Sequence, residues 1–176
     1  MSQRIVRFAE LRWSRSGLLD SGLLGCGAQL AAVIGLGMAE DRDLLAPVSN
    51  AHGLSIEWLK IPRGGRVSRH RLKEKQVLIA KNGAIEVEVG TSAGPISHVL
   101  HGSATAWDTF ALPADCWRTF RNTGDGEALA IVMSAGDQRK RIEWSDAVVQ
   151  AAAASDLAID ASGYVARKGI VERAQR

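Results

Sequence analysis

The feature that most constrains this chain is a series of short apolar segments, separated by turn residues, between positions 54 and 133. In residues 85–89, apolar and acidic side chains alternate strictly, which places one set on each face of a strand. Turns such as Pro62-Arg63-Gly64-Gly65 separate these segments, and Asn82-Gly83 favours a hairpin. The pattern predicts an all-β sandwich or barrel. The other predicted strands are 54–61, 76–80, 96–100, 105–112, 117–121 and 128–133.

The pattern changes towards both ends of the chain. Residues 21–39 carry no charge but hold five glycines, so we interpret them as two short strands with a Gly-rich turn rather than a membrane span. Ser145 is the expected N-cap of a helix at 146–154, followed by an ordered tail. We predict one domain: N-terminal strands and a possible dimerisation arm at 1–50, a barrel core at 51–142, and a C-terminal helix and tail at 143–176.

The composition excludes several classes of protein. Hydrophobic residues make up 46% and charged residues 23% of the chain, which is typical of a globular protein. The 22 Lys and Arg residues are dispersed without interleaved aromatics, so we expect no nucleic-acid partner, and we interpret Arg139-Lys140-Arg141 as a solvated turn. Cys26 and Cys116 lack the spacing of a disulfide framework or a thiolate site, which favours a cytoplasmic location.

Residues 64–83 resemble the first sequence motif of the cupin superfamily. Gly64, His70 and Gly83 match that motif, whereas Leu72 stands at its second histidine and Gln76 at its glutamate. The resemblance implies a cupin-type antiparallel β-barrel, or jelly roll, to which the predicted short C-terminal helix is attached.

Residues 113–122 resemble the second cupin motif. Pro113 and Asn122 match it, whereas Asp115 stands at the position of its glycine and Arg118 at that of its histidine. Trp107 stands where the motif has an earlier glycine. Turn positions therefore match and most ligand positions do not, so the resemblance supports a fold more than an activity.

The resemblance also implies where a metal would lie, because typical cupins hold a divalent transition metal with three histidines and a glutamate. Leu72 has no lone pair, Gln76 offers a neutral amide oxygen, and Arg118 only donates. A dication about 4 Å from that guanidinium meets a repulsion of about 8 kcal/mol at an effective dielectric constant of about 20. We therefore predict no metal and no cofactor. His98 and His101 leave a non-standard site open, although their spacing lets only one of them join His70.

The implied barrel would direct His70, Leu72 and Arg118 inward, and strand alternation adds Phe120 to the same face. An enclosed guanidinium needs a partner, which Glu57, Asp108, Asp115 or a bound anion would provide. Alternatively, Arg118 reaches the rim and His70 hydrogen-bonds to the backbone. The predicted site for a small polar or anionic ligand comprises His70, Gln76, Arg118, Leu72, Phe120, Trp58 and Asp108.

Several functions remain open on these residues. The first is a metal-independent cupin that binds a small ligand. The second is a metal-free isomerase, epimerase or cyclase in which His70 is the base and Asp108 or Tyr164 the acid. The others are an oxygenase with non-standard metal ligands and a protein-interaction module. We expect a small-molecule partner and a homodimer, and no membrane partner.

Overall fold

The fold is built mainly from antiparallel strands, as a computed structural model shows for residues 5–49 and 52–174. Two 3-10 helices, Phe8–Glu10 and Leu19–Gly22, come before the first strand. The strands are β1 (Gln29–Ile34), β2 (Leu54–Ile61), β3 (Arg66–Arg71), β4 (Gln76–Thr91), β5 (Gly94–Gly102), β6 (Thr109–Leu112), β7 (Arg118–Asn122), β8 (Ala128–Ala135), β9 (Glu143–Trp144), β10 (Leu157–Ile159) and β11 (Val165–Arg167). The helices are α1 (Asp146–Ala154) and α2 (Lys168–Ala174).

Nine strands form one antiparallel sheet that curls into a half-barrel. Their order is β1-β2-β8-β4-β7-β3-β9, and β5 and β6 both pair with β4. The long strand β4 produces the curl, because its first half pairs with β8 and β6 and its second half with β7 and β5. The predicted all-β jelly roll with a short C-terminal helix is therefore confirmed.

The inward face of the sheet differs between its two ends. Strict alternation along β2 turns every second side chain inward. At one end, which we call the apolar end, the inward residues are Leu59, Ile61, Ala80, Ala128 and Ala130. At the other, the polar end, they are Ser55, Glu57, Gln76 and Ser134, with the apolar Val132 and Leu78 at the level of Glu57.

The predicted hairpin at Asn82-Gly83 is wrong. Strand β4 continues through it, and the register shifts between Ala80 and Asn82. Gly83 has a φ of 79°, and a Cβ there would lie 3.1 Å from Ala128 Cα, so glycine permits a bend with close strand contact rather than a reversal. The chain reverses after Thr91 instead.

Strand β3 was missed because charge conceals its alternation. Arg66 and Arg69 are exposed, whereas Val67, Ser68 and His70 between and after them are buried. The strand pairs with β7 and β9. The buried positions include a hydroxyl and an imidazole, so the hydrophobic pattern that marks a half-buried strand is weak.

The two ends of the chain differ from expectation in part. Helix α1 begins and ends as predicted, but the expected tail contains the β10–β11 hairpin and α2. Residues 21–39 form one strand, β1, which pairs with β2 of the same chain, rather than two. Within residues 5–49 and 52–174, no helix has both the length and the apolar character needed to cross a membrane. The predicted boundary at residues 50 and 51, and the chain ends, lie outside the described residues.

Candidate functional site

The polar end carries a row of three hydrogen-bonding side chains across β2, β8 and β4. Ser55 lies opposite Ser134, which lies opposite Gln76. The amide nitrogen of Gln76 donates to Ser134 Oγ at 2.9 Å and lies 3.6 Å from Met38 Sδ. Ser55 Oγ is buried without a hydrogen-bond partner among the described residues. The row therefore presents polar groups where a barrel core is normally apolar.

Arg118, at the start of β7, extends this row across the barrel interior. Its side chain is buried, and its Nη1 donates to Gln76 Oε1 at 2.9 Å. Nε donates to the carbonyl of Cys116 at 3.2 Å, and Nη2 to that of Pro113 at 3.0 Å. All three acceptors are neutral. Burial lowers the pKa of Arg118, but a guanidinium still keeps its charge at neutral pH. The cation thus has no carboxylate at hydrogen-bonding distance within the described residues.

His70, opposite Arg118 in the register of β3 and β7, is fully buried. Its Nδ1 lies 2.8 Å from the carbonyl oxygen of Ser68. A carbonyl oxygen only accepts, so we assign the proton to Nδ1 and a lone pair to Nε2. Nε2 has no hydrogen-bond partner among the described residues. Burial, reinforced by the charge of Arg118, lowers the pKa of His70 to about 4, which keeps the imidazole neutral.

Two aromatic rings enclose the imidazole. Phe120 packs edge-on to His70 at a centroid distance of 5.4 Å, and Trp144 packs at 5.5 Å. Leu72, two residues after His70, is buried and lines a cavity of about 190 Å³ together with Arg71 and Asp115. This cavity adjoins the loop that binds Arg118, since Asp115 lines it and Pro113 and Cys116 of the same loop accept from Arg118.

Glu57 lies beneath a strap formed by residues 35–40. Its Oε2 accepts a hydrogen bond from Met38 N at 2.8 Å, whereas Oε1 has no partner among the described residues. A Cβ at Gly37 would lie 2.0 Å from the carboxyl carbon of Glu57, so glycine alone allows the strap to pass this close. Burial raises the pKa of Glu57 to about 7.

Other buried charges lie near this end and were not predicted. Lys140 is 2% exposed, so the interpretation of 139–141 as a solvated turn is wrong for this residue. Its Nζ donates to the carbonyl of Gly136 at 2.8 Å. Glu40 accepts from Leu19 N at 2.7 Å and from Trp144 Nε1 at 3.0 Å, and burial raises its pKa to about 8. A basic run and an isolated glutamate give no sequence signal of burial, because Lys140 binds a backbone carbonyl and the partners of Glu40 are distant in sequence.

The structure brings together five of the seven predicted site residues: His70, Leu72, Gln76, Arg118 and Phe120. Trp58 faces outward from β2 and packs against Phe8 at a centroid distance of 4.9 Å. Asp108 is exposed and accepts from His101 N at 2.8 Å.

The expected acidic partners of Arg118 are engaged elsewhere or do not reach it. Glu57 binds the strap, Asp108 binds His101, and Asp115 makes no hydrogen bond to the guanidinium. Tyr164, the other candidate acid for His70, lies against Arg42 and Arg139. The prediction that His70 hydrogen-bonds to the backbone is confirmed, but Arg118 is buried rather than placed at the rim.

The residues at the metal position implied by the first cupin motif do not fit a transition metal. His70 offers one lone pair, and the described residues include no group of three or more His, Cys, Asp or Glu side chains that could hold an ion. His98 and His101 are exposed on β5, whereas His70 is buried, so they do not complete a set with it. Gln76 already binds Arg118 and Ser134, which leaves too few donors for a transition ion.

Comparisons with known proteins support the fold. No protein-family model matches the chain, and no curated protein matches it. An oxalate oxidase structure shares 16% identity at a TM-score of 0.56, with 92% of this chain and 70% of that chain covered. A recombinant oxalate oxidase in complex with glycolate shares 17% identity at a TM-score of 0.54; the match covers 73% of this chain but 59% of that one.

A third structure extends the likeness to a larger protein. Bacillus subtilis oxalate decarboxylase, studied for its Mn(II) centres, shares 16% identity at a TM-score of 0.51; 74% of this chain and 28% of that chain are covered. The chain thus spans less than two thirds of that protein and of the glycolate-bound oxidase. These proteins have the cupin fold, and their likeness at such low identity concerns architecture. The curled sheet, its register and these neighbours together show that this chain has the cupin fold.

Proposed function

We propose that this chain is a metal-independent cupin that binds a small, hydrogen-bonding anion inside the barrel, between His70 and Arg118. The observation that carries the proposal is a buried guanidinium whose described hydrogen bonds all go to neutral acceptors. Asp115 and Glu74 attract the guanidinium without hydrogen-bonding to it. A buried charge without a hydrogen-bonded ion pair is unfavourable, so an anionic ligand in contact with Arg118 would stabilise this end of the barrel.

The two side chains restrict the chemistry of such a ligand. A guanidinium has five N–H donors, and three of those of Arg118 are used within the chain. The remaining donors favour a carboxylate oxygen. His70 Nε2 is an acceptor and therefore favours a group that donates, such as a hydroxyl. A 2-hydroxy acid carries both groups on adjacent carbons.

Thermal unfolding tests this ligand class with three matched probes. Glycolate has a carboxylate and a hydroxyl, acetate lacks the hydroxyl, and methoxyacetate keeps the oxygen but cannot donate. A ligand at 100 times its Kd stabilises the folded state by about 2.7 kcal/mol, which raises Tm by about 5–10 °C for a chain of this size. We expect that increase with glycolate and a much smaller one with the other two. Equal increases in Tm with glycolate and acetate would contradict the role proposed for His70.

Two variants locate the binding to Arg118. Arg118→Gln should abolish the glycolate shift, and Gln76→Glu should do the same by providing an internal carboxylate 2.9 Å from Nη1. Gln76→Glu keeps Arg118 buried and charged, so it tests the proposal even if Arg118→Gln unfolds. Arg121→Gln is the control, because Arg121 lies on the same strand but pairs with Glu86 on the exposed face. A glycolate shift that persists in Gln76→Glu contradicts the proposal.

A further inference from the structure

A groove of about 660 Å³ lies outside the barrel, between β3, the loop at residues 23–26 and α1. Its long wall is apolar and is formed by Leu23, Leu24, Ala147, Val148, Ala151 and Ala154. Leu24 is 98% exposed, which is unusual for a leucine at the edge of an apolar groove. The wall therefore offers a surface that an apolar chain would cover.

Two arginines line the β3 side of this groove. The side chain of Arg66 is exposed and makes no hydrogen bond or ion pair with any described residue. Arg69 lies 3.8 Å from Glu88 through Nη1, and its guanidinium lies over the ring of Trp117. No aspartate or glutamate is among the residues that line the groove. The β3 side is therefore cationic and available to an anion.

One buried acid, Asp20, lies beneath the groove. Asp20 is fully buried, and its Oδ2 accepts from Ser68 N at 2.6 Å. Burial raises the pKa of Asp20, and the hydrogen bond from Ser68 and the charge of Arg66 offset part of that rise. Ser68 Oγ and Cys26 Sγ, 3.3 Å apart, form the polar floor between the two arginines and the apolar wall.

We propose that this groove binds an amphipathic monocarboxylate, with the carboxylate at Arg66 and Arg69 and the hydrocarbon chain along Leu24 and α1. Charge complementarity places the head group, because guanidinium groups bind carboxylates in a bidentate geometry. The apolar wall binds the chain by removing its surface from water. This site is separate from the barrel interior and does not depend on the function proposed for it.

Isothermal titration calorimetry with octanoate tests the groove on the full chain. We expect one octanoate per chain, weaker binding of hexanoate by about fourfold for each methylene that the groove buries, and weaker binding of octan-1-ol. Arg66→Ala should weaken octanoate binding by about tenfold, the loss typical of one charge-assisted hydrogen bond. Leu24→Asp should weaken it further. Both side chains are exposed, so neither change threatens the fold.

Controls separate this site from the barrel and from a protein partner. Arg167→Ala, which removes an exposed arginine paired with Asp156, should leave octanoate binding unchanged. Saturating glycolate should also leave it unchanged. Equal binding in the wild type and in the Arg66→Ala, Arg69→Ala double variant overturns the proposal. A failure to bind octanoate also overturns the proposal. If light scattering then shows a dimer that Leu24→Asp dissociates, a second copy of the chain covers the groove instead.

Discussion

The two ends of the barrel interior have the same strands and opposite chemistry. At the apolar end, Leu59, Ala130 and Ala80 face one another across β2, β8 and β4. Four residues away on the same three strands, past Glu57, the facing side chains are Ser55, Ser134 and Gln76. The register is continuous between the ends, so the change lies in the side chains alone.

The difference separates what holds the fold from what makes a site. Buried apolar groups stabilise the apolar end by leaving water. The polar end instead holds buried groups without partners among the described residues, including Glu57 Oε1, Ser55 Oγ and His70 Nε2. Unpaired buried polar groups are unfavourable unless water or a ligand binds them. We therefore expect substitutions at the apolar end to affect stability and those at the polar end to affect binding.

The largest effect is expected from Leu59→Ala at the apolar end. Leu59 is fully buried, and truncation removes its packing and leaves a cavity, at a loss of about 2–5 kcal/mol in the free energy of unfolding. Urea unfolding measures this loss, and glycolate should still raise the stability of the variant. A loss below about 1 kcal/mol would show that this end is not the main packed core.

Gly37→Ala should have the next largest effect on stability, because it forces the strap away from Glu57. Gly37 has a φ of 51°, and the new Cβ would meet the Glu57 carboxyl group at 2.0–2.4 Å. We expect a loss of about 2–4 kcal/mol from backbone strain and overpacking. Gly64→Ala is the matched control, since Gly64 has a φ of 68° and open space around its Cβ. Equal losses in the two variants would show that the contact with Glu57 does not matter.

Glu57→Gln should change how stability depends on pH. Burial raises the pKa of Glu57 from 4.5 to about 7 in the folded chain, so the folded state binds the proton more tightly than the unfolded state. The resulting contribution is fully present below pH 4.5 and is lost as pH rises towards and through about 7. The substituted glutamine keeps an acceptor for Met38 N without a charge, so the variant should be about 1–3 kcal/mol more stable than wild type at about pH 8.

His70 contributes in the opposite direction and must be separated from Glu57. Its pKa falls from 6.5 to about 4, so its contribution is present above pH 6.5 and is lost as pH falls through about 4. The two pH windows overlap between about 4.5 and 6.5, so the variant and the wild type must be compared at each pH. In urea unfolding at about pH 5, 6.5 and 8, the stability of Glu57→Gln relative to wild type should increase with pH up to about 7, while the His70 contribution is the same in both proteins. A stability difference that does not change with pH would contradict the assignment.

Ser55→Ala should have the smallest effect. Ser55 Oγ is buried without a partner among the described residues, so its removal breaks no described hydrogen bond. We expect a change within about 0.5 kcal/mol, or a slight gain, since an unpaired buried hydroxyl is itself unfavourable. Ser134→Ala provides the contrast, because Ser134 Oγ accepts from Gln76. A loss above about 1 kcal/mol in Ser55→Ala would show that a bound water or ligand group uses this hydroxyl.

The turn positions of the two motifs predicted the fold because each requires one particular residue type. Asn122, which matches the second motif, donates to the carbonyls of Ile61, Pro62 and Gly126 and so ties two turns together. Two of these acceptors lie about 60 residues earlier in the chain, so the motif marks the position although the sequence does not show the contact. The inward direction of His70 and Arg118 followed from the same register.

The partners of these side chains could not be predicted in the same way. Arg118 was expected to pair with an acid, but it binds the carbonyls of Pro113 and Cys116. Backbone carbonyls are present at every residue, so no residue type marks them. The strap over Glu57 depends on a contact between residues 37 and 57 that alternation within β2 does not encode. Trp58 was misplaced because its position on β2 did not reveal which face was enclosed, and Asp108 because it lies just before β6 rather than within a strand.

The central claim is that the barrel binds its ligand through Arg118 and His70 without a metal ion. Isothermal titration of glycolate into chelator-treated protein tests it most directly, with a second titration after addition of Mn(II). We predict one glycolate per chain in both titrations, with the same Kd. Glycolate binding that occurs only after Mn(II) is restored would contradict the claim.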